Sequence, residues 1–313
     1  MARDRRRSRT ASAALVALVA LASSTVATSA QAFCRRTSVP EATNFQPSPT
    51  RCWTQGVPLF WASGCVHYAV FSQASKQVSL AETVRVADAA FLAWTNASCR
   101  VGHPSIVAIP SITDDGAVTY VAGSRPNNTN VIRYRDDSWT ANDGSNTLGL
   151  TTLTFDKDTG EIFDADMEIN AFDHMLSIGD PIPSGGYDLE SIVTHEAGHF
   201  LGLAHSGDTE AVMYSQYRPG SSLRELKADD VQGICAAYPA DRTRPTGAGV
   251  IPATACALTA TSSGGTAPCA PVLVGGCGLA ESRNGGFAWL AGTILGLGAI
   301  QLRRRRDLRR RFP

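Results

Sequence analysis

The chain has 313 residues and carries 28 basic and 28 acidic side chains, a formal balance of zero that hides a segregation. Residues 1–32 hold 5 basic and 1 acidic group and residues 303–313 hold 7 and 1, so residues 33–302 keep 16 against 26, a net charge of −10. So acidic a body argues against a nucleic-acid partner and fits a soluble extracytoplasmic domain.

The chain opens with Arg3, Arg5, Arg6, Arg7 and Arg9, then an apolar, small-residue run from Ala11 to Ala27. Ala30-Gln31-Ala32 offers a small-x-small cleavage site before Phe33, so residues 1–32 are expected to be a secretory signal. Residues 33–56 are polar and contain proline, and are expected to form an irregular N-terminal arm. Eight cysteines in an exported chain predict disulfides. Cys256 and Cys269 lie close in sequence and are expected to pair. Cys34, Cys52, Cys65, Cys99 and Cys235 then form an odd set.

Alternation predicts a strand from Val66 to Phe71. Ser79 and Glu82, three apart, predict a capping box that opens a helix to about Thr95, with Val84, Ala87, Phe91 and Trp94 on its buried face. Further strands are expected over Ser105 to Ile109, Asn130 to Arg135, Leu148 to Phe155 and Glu161 to Ile169. Lys157-Asp158-Thr159-Gly160 reads as the hairpin turn between the last two. Asp164, Asp166 and Glu168 alternate onto one strand face, where their oxygens could take calcium or simply meet solvent. Asp188 is placed to cap a helix from Leu189, and a last helix is expected from Ala228 to Ala237, stopped by Pro239. About 190 residues of this kind suffice for one core.

The most informative run is His195-Glu196-Ala197-Gly198-His199-Phe200-Leu201-Gly202-Leu203-Ala204-His205. On a helix His195 and His199, four apart, share one face and can grip one ion. Gly202 permits a sharp turn where the helix stops, bringing His205 back as a third ligand. Three protein ligands leave one position open, the mark of a catalytic zinc site. Glu196, beside the first ligand, is the candidate general base.

This run resembles the extended zinc signature of the metzincin metalloproteases, and within them the matrixin branch. Ala211-Val212-Met213-Tyr214-Ser215-Gln216-Tyr217 resembles the Met-turn, with Met213 as the apolar floor under the metal and Ser215 where matrixins usually have proline. Leu226 to Ile234, with the pair Asp229-Asp230, resembles the last matrixin helix. The resemblance spans roughly residues 57–239. It implies an α+β fold, a twisted mixed β-sheet with packed helices, and a zinc endopeptidase acting on protein or peptide substrates. It further implies that Leu148, Gly149, Leu150, Thr151 and Thr152 form an edge strand that pairs with extended substrate, and that Tyr217 walls the pocket beside the metal. No Pro-Arg-Cys-Gly run precedes the domain. His67, His103 and His174 are too scattered to suggest the matrixin structural zinc site, and no hemopexin-like repeat follows.

Residues 241–276, rich in Thr, Ala, Gly and Pro, are expected to be a flexible linker after a catalytic domain over 57–240. Residues 277–313 hold an apolar stretch over 287–302 and an arginine cluster over 303–311. Preceded by Gly276-Cys277-Gly278, they resemble the myxobacterial C-terminal sorting tag. That implies cleavage near Cys277 by a processing protease and display at the cell surface. A plain tail anchor, with its arginines on the cytoplasmic side, is the alternative. Two functions stand: an active zinc endopeptidase, or a surface adhesin on the same scaffold without turnover. An intact Glu196 favours the first.

Overall fold

A computed structural model describes residues 33–122, 128–139 and 146–256. The strands are β1 (Cys34–Arg35), β2 (Cys65–Phe71), β3 (Val107–Thr113), β4 (Val131–Arg135), β5 (Gly149–Phe155), β6 (Ile162–Asn170), β7 (Leu176–Ser177), β8 (Tyr187–Asp188), β9 (Leu203–Ala204), β10 (Thr243–Thr246) and β11 (Gly249–Pro252). The helices are α1 (Leu80–Thr95), α2 (Leu189–Phe200) and α3 (Ala228–Ala237). Five strands form the main sheet in the order β3-β2-β4-β6-β5. All pairings are parallel except that of β5, which runs antiparallel to β6 at the end of the sheet. This is the mixed α+β architecture expected from the sequence. Pro110 is tolerated in β3 because β3 is the opposite end strand, where a missing N–H breaks no central ladder.

Predicted and observed elements differ mainly at their ends. The strand expected over 105–109 runs instead over Val107–Thr113, drawn by its parallel register with β2. Ser79 does cap α1, accepting from Glu82 N at 3.3 Å, but the Glu82 carboxylate pairs with Arg85 at 2.8 Å. Val84 is only partly buried, while Val86 and Ala90 join Ala87, Phe91 and Trp94 in the core.

Helices α1 and α2 pack on each other and on the sheet, α1 against β2 and β3, α2 against β5 and β6. Aromatic rings carry the contact through the core. Tyr68 stacks on Phe91 at 4.2 Å, Phe91 meets Phe200 edge-on at 5.0 Å, and Phe200 stacks on Trp61 at 5.6 Å. The indole N–H groups of Trp94 and Trp61 both donate to carbonyls of α2, Trp94 to Thr194 O at 2.7 Å and Trp61 to Phe200 O at 2.8 Å. The helix that bears the histidines is therefore bonded to the core at its middle and at its end.

The expected linker is corrected over its first part. Residues 243–252 form the β10–β11 hairpin, and Arg244 is fully buried. Its guanidinium donates to Trp61 O, Ser63 O, Ser105 O and Ser105 Oγ at 2.8–2.9 Å and lies over the Tyr238 ring. A buried charge is tolerable when its donors are met in this way, and the hairpin is docked as a result. The cysteine expectation is corrected too. Cys34 bonds Cys52, Cys99 bonds Cys235, and Cys256 bonds Cys65 rather than Cys269, so Cys256 makes the set of five even. Among the described residues no helix is long and apolar enough to cross a membrane. The signal segment, Cys269, the rest of the linker and the C-terminal tag lie outside the described residues.

Candidate metal centre and cleft

Helix α2 starts where Asp188 accepts from Ser191 N at 3.0 Å. It ends at Gly202, whose φ of +85° lies in the left-handed region and whose N–H returns to His199 O at 2.8 Å. A side chain at Gly202 would also press on Leu59 O at 2.8 Å. The reversed chain becomes β9, which pairs with β1 in the register Cys34 to Ala204 and Arg35 to Leu203. His205 follows directly. The turn inferred from a single glycine thus brings His205 to the two helical histidines.

The ligand atoms of His195, His199 and His205 lie within 4.8 Å of one another, and among the described residues no other group gathers in this way. His195 Nδ1 lies 2.7 Å from Val212 O and His199 Nδ1 lies 2.8 Å from Leu203 O. Carbonyls only accept, so each Nδ1 carries the proton and each Nε2 keeps its lone pair for a ligand. His199 Nε2 and His205 Nε2 stand 3.2 Å apart. Two nitrogens about 2.0–2.1 Å from one zinc in tetrahedral array would be about 3.3 Å apart, so the donor set fits the ion. Burial supplies the correct protonation state: it pushes His195 down to about 4 and His205 to about 3, and His199 well below the usual range. Neutral imidazoles are the form that binds metal.

Met213 is buried with its sulfur against Gly198, and its backbone N–H, with that of Val212, is held by the Asp230 carboxylate at 3.0 and 2.8 Å. The neighbouring Asp229 accepts from Ser206 Oγ at 2.6 Å. The Asp-Asp pair, noticed in the sequence only as a likeness, is what ties α3 to the turn under the histidines. Gly198, between the two helical ligands, is equally specific. A Cβ there would overlap the Met213 sulfur and lie 2.8 Å from the Trp94 ring.

Glu196 is buried, and burial pushes its carboxyl up to about 7 against the hydrogen bond from Thr151 and the charge of Arg36. Thr151 Oγ1 donates to Glu196 Oε2 at 2.7 Å. Thr151 is 4% exposed, its side chain turned onto Glu196 while it still lines the cleft as part of β5. A Cβ on Gly149 would press on the Glu196 side chain. Leu148 and Leu150 are half-buried at the cleft, and among the described residues no strand pairs with the outer side of β5. Tyr217 donates at 3.2 Å toward Ser191 O and Val212 O and stands edge-on to His195 at 5.6 Å. Val193, which precedes the motif, is core; Ile192 is the apolar residue of α2 that lines the cleft, together with Leu148 and Leu150 of the strand side.

The acidic face of β6 is not solvated. Asp164 and Asp166 are buried and bonded to each other, Asp166 accepts from Val131 N at 2.9 Å, and Glu168 pairs with Arg135.

Histidines, glutamate, β5 and Tyr217 border one cleft of about 880 Å³. A family model described as Matrixin, Peptidase M10, matches residues 60–239. The chain belongs to the matrixin family. Similar proteins include metalloendoproteinase 1 of Glycine max, 40% identical over 80 residues that make up 24% of each chain. Metalloendoproteinase 1-MMP of Arabidopsis thaliana is 51% identical over 51 residues, 16% of this chain and 14% of that one. Human matrix metalloproteinase-20 is 45% identical over 56 residues, 18% and 12%. The likeness therefore spans a quarter or less of the relatives' length. Before the matched residues lies the N-terminal arm, whose Arg36, Glu41, Ala42, Thr43 and Phe45 line the same cleft.

Proposed function

We propose that this matrixin is an exported zinc endopeptidase that hydrolyses internal peptide bonds of extended protein segments. The observation that carries it is the convergence of three histidines, His195 and His199 buried and His205 half-buried, with the buried Glu196 carboxylate beside β5, an end strand among the described residues. His195, His199 and His205 would hold the ion. When bound, zinc supplies a Lewis acid that acidifies water and polarises a carbonyl.

The remaining work falls to the chain's own groups. Glu196 takes the proton of the attacking water and returns it to the departing amine, a role suited to a carboxyl poised near neutrality. Thr151 fixes the carboxylate rotamer. Among the described residues no strand pairs with the outer edge of β5, so its main-chain groups are offered to substrate, which adds as a further strand and is aligned past Glu196. Ile192 and Tyr217 present apolar surface to the residue after the cut bond. Burying one medium apolar side chain contributes about 1.5–3 kcal/mol, enough for a clear preference at that position.

Export is supported by three disulfides and by the signal-like start, and surface retention by the tag-like end. Intact mass of protein from the producing cell tests the processing: a product retaining residues 303–313 would favour the tail anchor. For activity, the full chain is assayed on a peptide library with and without chelator, beside Glu196→Gln and His199→Ala. Chelator and His199→Ala are expected to abolish cleavage. Glu196→Gln is expected to keep its zinc and lose about 10²–10⁴-fold in rate. Full activity of Glu196→Gln would leave the site without its base. Peptide binding with no cleavage by the wild type would favour the adhesin.

A further inference from the structure

The N-terminal arm places one cation in the cleft that the reaction does not use. Arg36 follows β1, and its main chain is fixed on both sides. Its N–H donates to Gly202 O at 2.9 Å and its carbonyl accepts from Leu59 N at 2.8 Å. The Cys34–Cys52 disulfide anchors the arm just before it. Arg36 is therefore tied to the same turn that delivers His205.

Its side chain is half-buried and lines the cleft with the three histidines and Glu196. Its positive charge is felt at all four groups. Yet among the described residues its guanidinium makes no hydrogen bond or ion pair. Arg35, one residue earlier, differs: it donates to Leu59 O at 2.5 Å. Glu41 borders the same cleft but stands beyond ion-pair distance. A half-buried guanidinium has lost part of its water and gained no acceptor, and its planar fork matches a carboxylate with two parallel hydrogen bonds.

We propose that Arg36 is a specificity-determining residue whose ligand is a carboxylate of the peptide substrate, supplied by an aspartate or glutamate side chain close to the cut bond. This rests on the endopeptidase reading above. A fixed cation on the cleft wall would select acidic segments without taking part in bond breaking.

The test uses the full chain with zinc and peptides in matched pairs, capped at both ends, with a single Glu or Gln moved through the positions around the cut bond. An otherwise identical set with a free C-terminal carboxylate asks whether a chain end is the true ligand. Wild type is expected to favour Glu over Gln in kcat/KM by about tenfold or more at one position, as a charge-assisted bond implies. The ratio should fall toward one in Arg36→Gln, return in part in Arg36→Lys, and shrink as salt is raised. Equal cleavage of every pair by wild type overturns the inference and spares the endopeptidase reading. So does a Glu preference that survives in Arg36→Gln. A gain seen only with the free terminus replaces side-chain recognition with end recognition. Failure to cleave any peptide overturns the endopeptidase reading, and this inference with it.

Discussion

Gly149 leaves no room for a side chain beside Glu196: a Cβ placed on Gly149 would lie 2.8 Å from Glu196 Oε1 and 2.9 Å from its Cγ. The first residue of the substrate-side strand and the candidate base thus share one space, and only glycine leaves room for both. Gly149→Ala is expected to turn the carboxylate aside and lower kcat/KM by about 10²-fold, the usual cost of a misplacement near 1 Å. Zinc content should be kept, since no ligand is touched. Wild-type kinetics in Gly149→Ala would show that Glu196 tolerates another rotamer.

Thr151 holds that rotamer from the neighbouring position. Its hydroxyl favours the ionised carboxylate, opposing the upward push of burial. Thr151→Val keeps the shape and removes the donor. The acid limb of the kcat/KM profile is then expected to move to higher pH, because the base is protonated over a wider range. A limb that stays put would mean that Thr151 has no part in setting the base.

Gly198 faces Met213 and Trp94 with no spare volume. Gly198→Ala should improve intrinsic helix propensity yet destabilise the domain, since the methyl would overlap the buried sulfur. A net loss of about 1–3 kcal/mol in denaturant unfolding is expected. A gain in stability would show that Met213 can move without cost.

The Asp164–Asp166 pair gives a pH dependence of known sign. Burial raises both carboxyls, Asp166 to about 7 with the Asp164 charge adding to it, so the folded chain keeps its protons to higher pH than the unfolded chain. The stability from this pair is full below about pH 4 and is lost as pH rises toward about 7. The histidines run in the opposite sense, being neutral when folded and charged when unfolded as pH falls. Asp166→Asn keeps an acceptor for Val131 N and a permanent donor for Asp164. The difference in Tm between variant and wild type should therefore grow in the variant's favour from pH 4 to 7. A constant difference would show that the pair shares no proton.

Residues 195–205 determined the centre on their own. Ligand spacing, the helix that carries it and the glycine that ends it are all local consequences of 3.6-residue periodicity and of a left-handed turn, so His195, His199 and His205 were legible without a fold. So were the hairpin at Gly160 and the caps at Ser79 and Asp188, which depend on neighbours within a few residues. What surrounds the centre was decided by contacts between distant segments. Thr151 faces Glu196 because β5 packs on α2, 45 residues away in sequence. Cys256 finds Cys65 across 191 residues because Arg244 docks the hairpin, and a cysteine carries no sign of its partner in the chain around it. Arg36 enters the cleft because β1 pairs with β9, a two-residue register that no periodicity reveals. Such pairings follow from burial and from satisfying buried donors, which are properties of the assembled core and not of any segment alone.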